Sequence, residues 1–194
     1  MHGHILILEN KDTMKDNIVG GILVEIGSDR ASGSTKALAQ MAKEFDMDFY
    51  TVDPDEGAYE RSTNILKNID EDFKAVQDLG ENFLDKFDGE INLIYMDAFD
   101  NVLENWPHKQ ATIDTYKKRG VDLNNENSWK MHLEACQNAI DKIPVGCYIC
   151  FDDTVQRGNE WEGKGKLAIP FLLKNGFDII DNDYNNCLIL QKEK

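Results

Sequence analysis

The chain has 194 residues, of which 41% are hydrophobic and 29% charged, and this composition excludes disordered, collagen-like and disulfide-scaffold proteins. A formal net charge of −15 argues against a nucleic-acid partner. No apolar run approaches the roughly 18 residues that span a bilayer, and the opening residues do not resemble a secretory signal, so we expect a cytoplasmic chain without a membrane partner.

The first half of the chain alternates short apolar runs with amphipathic segments. A strand is predicted over residues 21–26, and a glycine-containing loop leads from it to a helix that begins near Ser34. The elements that follow are a strand over 48–52, a helix over 59–69, a short strand over 73–76, a helix over 80–87 and a strand over 91–96.

The second half continues the alternation after a long excursion. Residues 98–128 exceed an ordinary crossover loop and contain a predicted helix over 110–119, so they are interpreted as a functional insertion. The remaining elements are a helix over 129–143, a strand over 145–151, a helix over 166–175 and an antiparallel pair of strands over 177–180 and 187–191. This order predicts one α/β domain over 1–194: a doubly wound, mostly parallel Rossmann-like sheet with helices on both faces and an antiparallel C-terminal strand.

Two groups of potential metal ligands are assigned structural roles. Cys147 and Cys150 have the spacing of half a zinc site, but residues three apart on a strand point to opposite faces, so we expect buried thiols. His2 and His4 are interpreted as part of a frayed terminus.

The loop after the first strand has features of a ligand site. Gly27 and Gly33 allow the backbone to approach a ligand, and the helix from Ser34 presents unpaired amides. Asp53, at the end of the second strand, is placed to accept hydrogen bonds from a ribose diol. A nucleotide-like ligand is therefore predicted, although the spacing is not G-x-G-x-x-G, and a tight turn with a solvated carboxylate is the alternative.

Several acidic residues follow predicted strands. Because the carboxyl ends of parallel strands share one edge, Asp78, Asp97, Asp152 and Asp153 are expected along the same rim. Carboxylates that converge raise one another's pKa or bind a hard cation. We therefore predict that Asp97, Asp152 and Asp153 hold Mg²⁺, with splaying into water as the alternative.

These segments together resemble a known family. Glu25-Ile-Gly27, Gly33-Ser-Thr35, Asp53, residues 73–78, 94–97 and 150–153 look like a class I S-adenosylmethionine-dependent methyltransferase over roughly residues 20–190. The spacing is similar to that of the small metal-dependent O-methyltransferases related to the catechol and macrocin enzymes. Residues 162–166, Glu-Gly-Lys-Gly-Lys, resemble the macrocin group as well.

The resemblance implies methyl transfer from S-adenosylmethionine to a hydroxyl of a small-molecule acceptor, assisted by Mg²⁺ or another divalent cation. It assigns the methionine part of the cofactor to the loop from Gly27 to Gly33, the ribose to Asp53 and the adenine edge to Asp78. The full implied cofactor-binding set is Glu25, Gly27, Gly33, Ser34, Asp53, Asp78 and Asp97.

Proton removal is assigned to one of two residues. Asp100 stands where catechol-type enzymes keep a lysine, and His132 is the second candidate base. The insertion over 98–128, with Trp106, His108 and Tyr116, is expected on the acceptor side or as surface decoration.

Two other functions stay open. A glycine loop and a strand-end acid also suit an NAD-dependent oxidoreductase. The loop from Gly27 to Gly33 is longer than in the family that the chain resembles, and Asp100 replaces its lysine; both departures suit a non-catalytic S-adenosylmethionine-binding or partner subunit. A homo-oligomer also stays open.

Overall fold

The computed structural model of the chain describes residues 1–28, 30–99, 109–118, 120–183 and 186–194. The helices are α1 Gly3–Ile18, α2 Ser34–Glu44, α3 Glu56–Leu66, α4 Gly80–Lys86, α5 Lys109–Lys118, α6 Asn125–Ala139 and α7 Ala168–Lys174. The strands are β1 Ile22–Ile26, β2 Asp48–Val52, β3 Lys74–Val76, β4 Leu93–Met96, β5 Tyr148–Phe151, β6 Thr154–Arg157, β7 Glu160–Gly163, β8 Phe177–Asp183 and β9 Cys187–Lys192.

Within these residues, seven strands form one sheet in the order β3-β2-β1-β4-β5-β9-β8. The pairs from β3 to β5 are parallel, and β9 runs antiparallel to both of its neighbours, β5 and β8. The predicted fold class is therefore confirmed. The strand order reverses between β1 and β4, and in open parallel sheets ligands bind at the carboxyl edge beside such a reversal.

Two apolar layers cover the sheet. Helices α1, α2 and α3 pack on one face, with Leu23, Phe49 and Tyr95 on the sheet side of that layer. Helices α4, α6 and α7 pack on the other face, with Ile94 and Phe151 among the strand residues. Strand β4 is buried at all four positions, as expected for a parallel strand covered on both faces.

Helix α1 replaces the frayed terminus that the sequence predicts. Its buried positions recur at three-, four- and seven-residue spacings: Gly3, Leu6, Ile7, Met14 and Ile18. The helix packs against β4, β5 and β9. A Cβ at Gly3 would lie 2.8 Å from the Tyr95 ring, so the helix begins in close contact with the sheet. The interpretation of His2 and His4 as frayed was therefore wrong.

A second element outside the prediction is the hairpin of β6 and β7, which pair antiparallel apart from the main sheet. Trp161 is buried, whereas Arg157 and Glu162 form an exposed ion pair at 2.9 Å. The hairpin matters for the site because β7 leads directly into Lys164.

The cysteines lie as predicted. Cys147 and Cys150 belong to the apolar layers on opposite faces of the sheet, so their thiols cannot share a metal ion. All four cysteines are buried free thiols. In the part of the chain that the structure describes, no helix combines the length and apolarity needed to cross a membrane.

Candidate active-site cleft

A cleft of about 1310 Å³ opens at the carboxyl edge of the sheet, beside the reversal between β1 and β4. Along its walls, acidic side chains outnumber basic ones among the described residues. Several of the residues predicted from the sequence line it, namely Gly27, Gly33, Ser34, Asp53, Asp97, Asp152 and Asp153. The strand ends therefore bring together residues from four separate parts of the chain.

Gly27 forms a turn that only glycine can occupy. Its φ is +94°, and an added Cβ would lie 2.6 Å from the Cα of Ala98, which follows β4. The Gly27 amide donates to the carbonyl of Val52 at 2.8 Å. The ends of β1, β2 and β4 are thereby drawn together beneath the cleft.

Gly33 and Ser34 begin helix α2 on the cleft wall. Gly33 is the N-cap residue, and a Cβ built on it meets no atom of the described residues within 4 Å. The first turn of a helix presents amides without intrahelical partners. This wall can therefore receive an oxygen-bearing group of a ligand.

Asp53 is fixed in place at the end of β2. Its Oδ2 accepts a hydrogen bond from the Ser28 amide at 3.0 Å, and its Oδ1 accepts one from the Asp55 amide at 2.9 Å. The Ser28 hydroxyl also donates to Oδ2, at 3.4 Å, so backbone amides and a neighbouring hydroxyl together hold the carboxylate in place. Its assignment to a ribose stays a prediction.

Glu25 does not reach the cleft, in contrast to the prediction. It is fully buried below the first turn of α2, and its Oε2 accepts a hydrogen bond of 2.6 Å from the Thr51 hydroxyl. Among the described residues its Oε1 has no hydrogen-bond partner. Burial raises the pKa of Glu25 to about 7, although the nearby hydroxyls of Ser34, Thr51 and Thr35 favour the anion.

Asp78 also lies away from the cleft, although its neighbours Gln77 and Leu79 line it. The Asp78 carboxylate pairs with Lys86 at 2.9 Å, and this bond is the main cause of its lowered pKa. Leu79 is a large apolar residue that is 40% exposed. It therefore provides an apolar surface where the sequence suggested a carboxylate.

The three predicted metal ligands form one cluster, which we call the acid cluster: Asp97, Asp152 and Asp153. It lies where β4 and β5 end. The buried hydroxyl of Tyr95 lies 2.6 Å from Asp152 Oδ2 and 3.1 Å from Asp97 Oδ2, and so links the two carboxylates.

The cation of the acid cluster is Lys164. Its ammonium lies 2.6 Å from Asp97 Oδ1 and 3.0 Å from Asp153 Oδ2, and the side chain is 2% exposed. Burial alone lowers the pKa of Lys164, but Asp97 and Asp153 raise it above its ordinary value. Burial raises the pKa of Asp153, and Lys164 more than offsets this effect.

A magnesium ion does not fit this arrangement. The ammonium of Lys164 already lies between Asp97 and Asp153, and Asp152 is engaged by Tyr95 and by Asn186 at 3.1 Å. No group of three or more His, Cys, Asp or Glu side chains in the described ranges could hold a metal ion. The prediction of a metal triad was wrong because a lysine ammonium already lies between two of the three carboxylates.

One of the two candidate bases, His132, does not line the cleft. His132 is fully buried, its Nδ1 bonds the Ser128 carbonyl at 2.7 Å, and burial lowers its pKa to about 3. It is thus a neutral interior residue, and its assignment as a base was wrong. Asp100 lies outside the described residues.

Sequence reasoning missed His2 and His4, which line the cleft beside the acid cluster. His2 Nδ1 lies 3.4 Å from Asp152 Oδ2, and the His4 ring meets the Tyr95 ring edge-on at 6.2 Å. Burial lowers the pKa of His4, which keeps it unprotonated near neutral pH. The signal would have been the helical spacing of residues 3–18, which places these histidines at the start of a docked helix.

The insertion is described only in part. Tyr116 of α5 lines the cleft and packs against Phe99 at 5.5 Å between ring centroids. Trp106 and His108 lie outside the described residues. An acceptor-side role for residues 98–128 stays a prediction.

Comparison with known proteins shows the fold. The sequence matches no protein-family model and no curated protein. Among solved structures, an rRNA methylase from Streptococcus thermophilus matches with a TM-score of 0.59 and 13% identity, over 97% of this chain and 96% of that one. A methyltransferase from Podospora anserina with bound S-adenosylhomocysteine matches with a TM-score of 0.64 and 15% identity, over 99% and 78%. Streptococcus mutans SMU.1697c, solved with S-adenosylhomocysteine, has a TM-score of 0.59 and 12% identity, over 96% and 97%.

These comparisons correct one expectation. The net charge of the chain led us to exclude nucleic acid and to expect a small-molecule acceptor, yet the same fold, over nearly the same length, belongs to an rRNA methylase. Net charge describes the long-range field of the whole molecule and does not describe a local contact surface. The exclusion of nucleic acid was therefore wrong.

Proposed function

We propose that the chain binds S-adenosylmethionine in the cleft and transfers its methyl group to an acceptor. The supporting observation is the pairing of two features across the β1–β4 reversal. On one side, Asp53 offers a fixed carboxylate to ribose hydroxyls. On the other side, the acid cluster provides negative potential for a ligand that has a positively charged sulfonium and amine.

An apolar part of the cleft wall suits the adenosyl group. Leu79 lines the cleft with an exposed apolar side chain that an adenine ring can cover. A Cβ at Gly80 would lie 2.3 Å from Ile26 Cγ2, so α4 begins in direct contact with β1. This contact holds the start of α4, and with it Leu79, at the wall of the cleft that Asp53 also lines.

The same charge argument disfavours NAD. Its pyrophosphate is negatively charged, whereas acidic side chains dominate the cleft among the described residues. The glycine spacing after β1 also differs from the dinucleotide fingerprint. S-adenosylmethionine is therefore the better ligand for this cleft.

For the acceptor we propose a hydroxyl oxygen of RNA. The rRNA methylase with this fold supports the class of molecule, and the sequence resemblance supports the hydroxyl. Every RNA nucleotide has an uncharged 2′-hydroxyl, which can enter an acidic cleft while the phosphates remain outside it. The proposal thus reconciles an RNA substrate with the charge of the chain.

The chemical step needs few groups from the protein. The acceptor oxygen forms a bond to the methyl carbon, the carbon–sulfur bond breaks, and its electron pair stays on the sulfur. Alignment of the two reactants supplies much of the acceleration. We assign the proton released by the hydroxyl to His4, which lines the cleft in its neutral form.

Calorimetric titration with S-adenosylhomocysteine and with NAD tests the cofactor. We expect binding of S-adenosylhomocysteine, at least about tenfold weaker in Asp53→Asn. The matched control is Asp48→Asn, which changes an exposed carboxylate at the opposite end of the same strand, β2. Binding of NAD alone would contradict the proposal.

Transfer of tritiated methyl groups from S-adenosylmethionine to ribosomal RNA and transfer RNA tests the acceptor. Nucleoside analysis should then find 2′-O-methylated products. Binding of S-adenosylhomocysteine without transfer to any RNA fraction would favour the non-catalytic subunit instead, and methylation of a base would contradict the hydroxyl assignment.

A further inference from the structure

The acid cluster is held together by Lys164 and not by an external ion. The ammonium contacts two carboxylates, and it also lies 3.3 Å from the carbonyl oxygen of Asp97. These three oxygen atoms come from the ends of two different strands. Carboxylate and carbonyl oxygens in such an arrangement are also the ligands that hard divalent cations use.

Glycines on both sides of Lys164 allow the backbone to pass close to the acid cluster. A Cβ at Gly163, where φ is +85°, would lie 1.8 Å from the Asp153 carbonyl oxygen. A Cβ at Gly165 would lie 2.7 Å from Thr154 Cγ2. Only glycine on either side lets the segment approach the end of β5 this closely.

Two hydrogen bonds then fix the segment. The Lys164 amide donates to the Asp153 carbonyl at 3.0 Å, and the Gly165 amide donates to the Thr154 hydroxyl at 2.8 Å. The lysine side chain therefore enters the cluster from a locked backbone. A buried ammonium is costly unless it is paired, so the position depends on both carboxylates.

We propose that Lys164 is the resident cation of the acid cluster, taking the place that a divalent ion would hold, and that its removal turns the cluster into a divalent-cation site. A compact ammonium and a hydrated metal ion cannot share the space between Asp97 and Asp153. The wild-type cluster therefore does not bind divalent ions. This proposal is independent of methyl transfer.

Manganese alone is the probe, because free Mn²⁺ gives an electron paramagnetic resonance signal that disappears on binding. Wild type and Asp153→Asn are titrated first. We expect the two proteins to bind Mn²⁺ equally weakly. Stronger uptake by wild type that Asp153→Asn abolishes would overturn the proposal, because the cluster would then bind metal in the presence of Lys164.

The second comparison uses Lys164→Ala with Lys174→Ala, which removes the same charge from an exposed position in α7. We expect Lys164→Ala to bind one Mn²⁺ at least tenfold more tightly than Lys174→Ala and to melt several degrees higher with Mn²⁺. The gain should vanish in Lys164→Ala/Asp153→Asn. A folded Lys164→Ala variant that binds no more Mn²⁺ than Lys174→Ala would contradict the proposal.

If Lys164→Ala folds only with Mn²⁺ present, that result supports the same conclusion. If it does not fold under either condition, the comparison of wild type with Asp153→Asn still tests whether Lys164 keeps divalent ions out of the cluster. Because none of these measurements uses S-adenosylmethionine, their outcome is separate from that of the proposed function.

Discussion

The hydroxyl of Tyr95 lies 2.6 Å from the carboxylate of Asp152, so the middle strand β4 is tied to the end of β5 by a buried hydrogen bond. The same hydroxyl lies 3.1 Å from Asp97 Oδ2. Burial, followed by the charges of Asp97 and Asp152, raises the pKa of Tyr95 above its ordinary range. Tyr95 is therefore a permanent proton donor to the acid cluster.

Replacing Tyr95 with Phe should destabilise the protein by about 1–3 kcal/mol, because buried carboxylate oxygens lose their donor. Tyr148→Phe is the matched control on the same face of the sheet. The Tyr148 hydroxyl accepts bonds from Asn17 and Gln191, whose amides are only partly buried and can turn to water. Urea denaturation measures both variants, and an equal loss of stability would contradict the prediction.

Glu25 should make the protein less stable as pH rises. Burial raises its pKa from 4.5 to about 7 in the folded state, so the folded protein binds the proton more tightly than the unfolded chain. Stability should therefore fall between about pH 4.5 and 7, by about 3 kcal/mol in total. Glu25→Gln removes this dependence.

Urea denaturation at pH 5 and pH 7.5 checks the Glu25 prediction. The free energy of unfolding of Glu25→Gln minus that of wild type should be larger at pH 7.5 than at pH 5. Glu60→Gln, which alters an exposed residue of α3, should show the same difference from wild type at both values. If the stability difference between Glu25→Gln and wild type were the same at both pH values, the Glu25 carboxyl of the folded wild type would be ionised throughout this range, in contradiction to the prediction.

His132 should have the opposite effect to Glu25 on the pH dependence of stability. Burial lowers its pKa from 6.5 to about 3, so the unfolded chain binds the proton more tightly. Stability should therefore fall as pH drops below about 6.5, by about 2 kcal/mol between pH 6.5 and 5. Because the Glu25 and His132 windows overlap, the wild-type profile should be flatter than that of either variant.

The His132→Gln variant tests this compensation. Its stability should decrease as pH rises from 5 to 6.5, whereas that of Glu25→Gln should increase over the same interval. Parallel profiles for wild type and His132→Gln would be incompatible with a neutral, buried His132.

Gly27→Ala should weaken binding of S-adenosylhomocysteine by about tenfold or more. The positive φ costs about 1–2 kcal/mol for alanine, and the new Cβ must also push Ala98 away from the turn. Gly20→Ala separates these effects, since Gly20 has a φ of +71° but no described atom within 4 Å of an added Cβ. Calorimetry should find its affinity unchanged, and equal losses in both variants would contradict a role for the Gly27 contact.

Much of the sheet could be predicted because its strands are short apolar runs. Strand β2 begins and ends at the predicted residues, and β1 differs by one residue. Helix α1 could not be recognised so readily, since polar residues surround its buried positions and it begins at Gly3 after an N-cap His2 whose side chain makes no capping bond. Its helical state depends on packing against the sheet, which local sequence does not reveal.

The sequence predicted where the three carboxylates of the acid cluster meet, but it did not identify their cation. Strand ends identify Asp97 and Asp152 because parallel strands share one edge. The prediction that these carboxylates need a cation was also correct, because three negative charges at one site repel one another. Lys164 could not be identified because its burial results from contacts of Gly163 and Gly165 with a distant strand end.

The position of β9 affects how this protein can form during synthesis. Strand β8 is joined to the sheet only through β9 among the described strands, yet β9 follows it in the chain. A ribosome-bound chain that has emerged only as far as residue 183 can therefore pair five of the seven strands, and β5 is exposed at the edge of this partial sheet. At this stage of synthesis the unpaired edge makes the nascent chain prone to aggregate, and chaperones are then most needed.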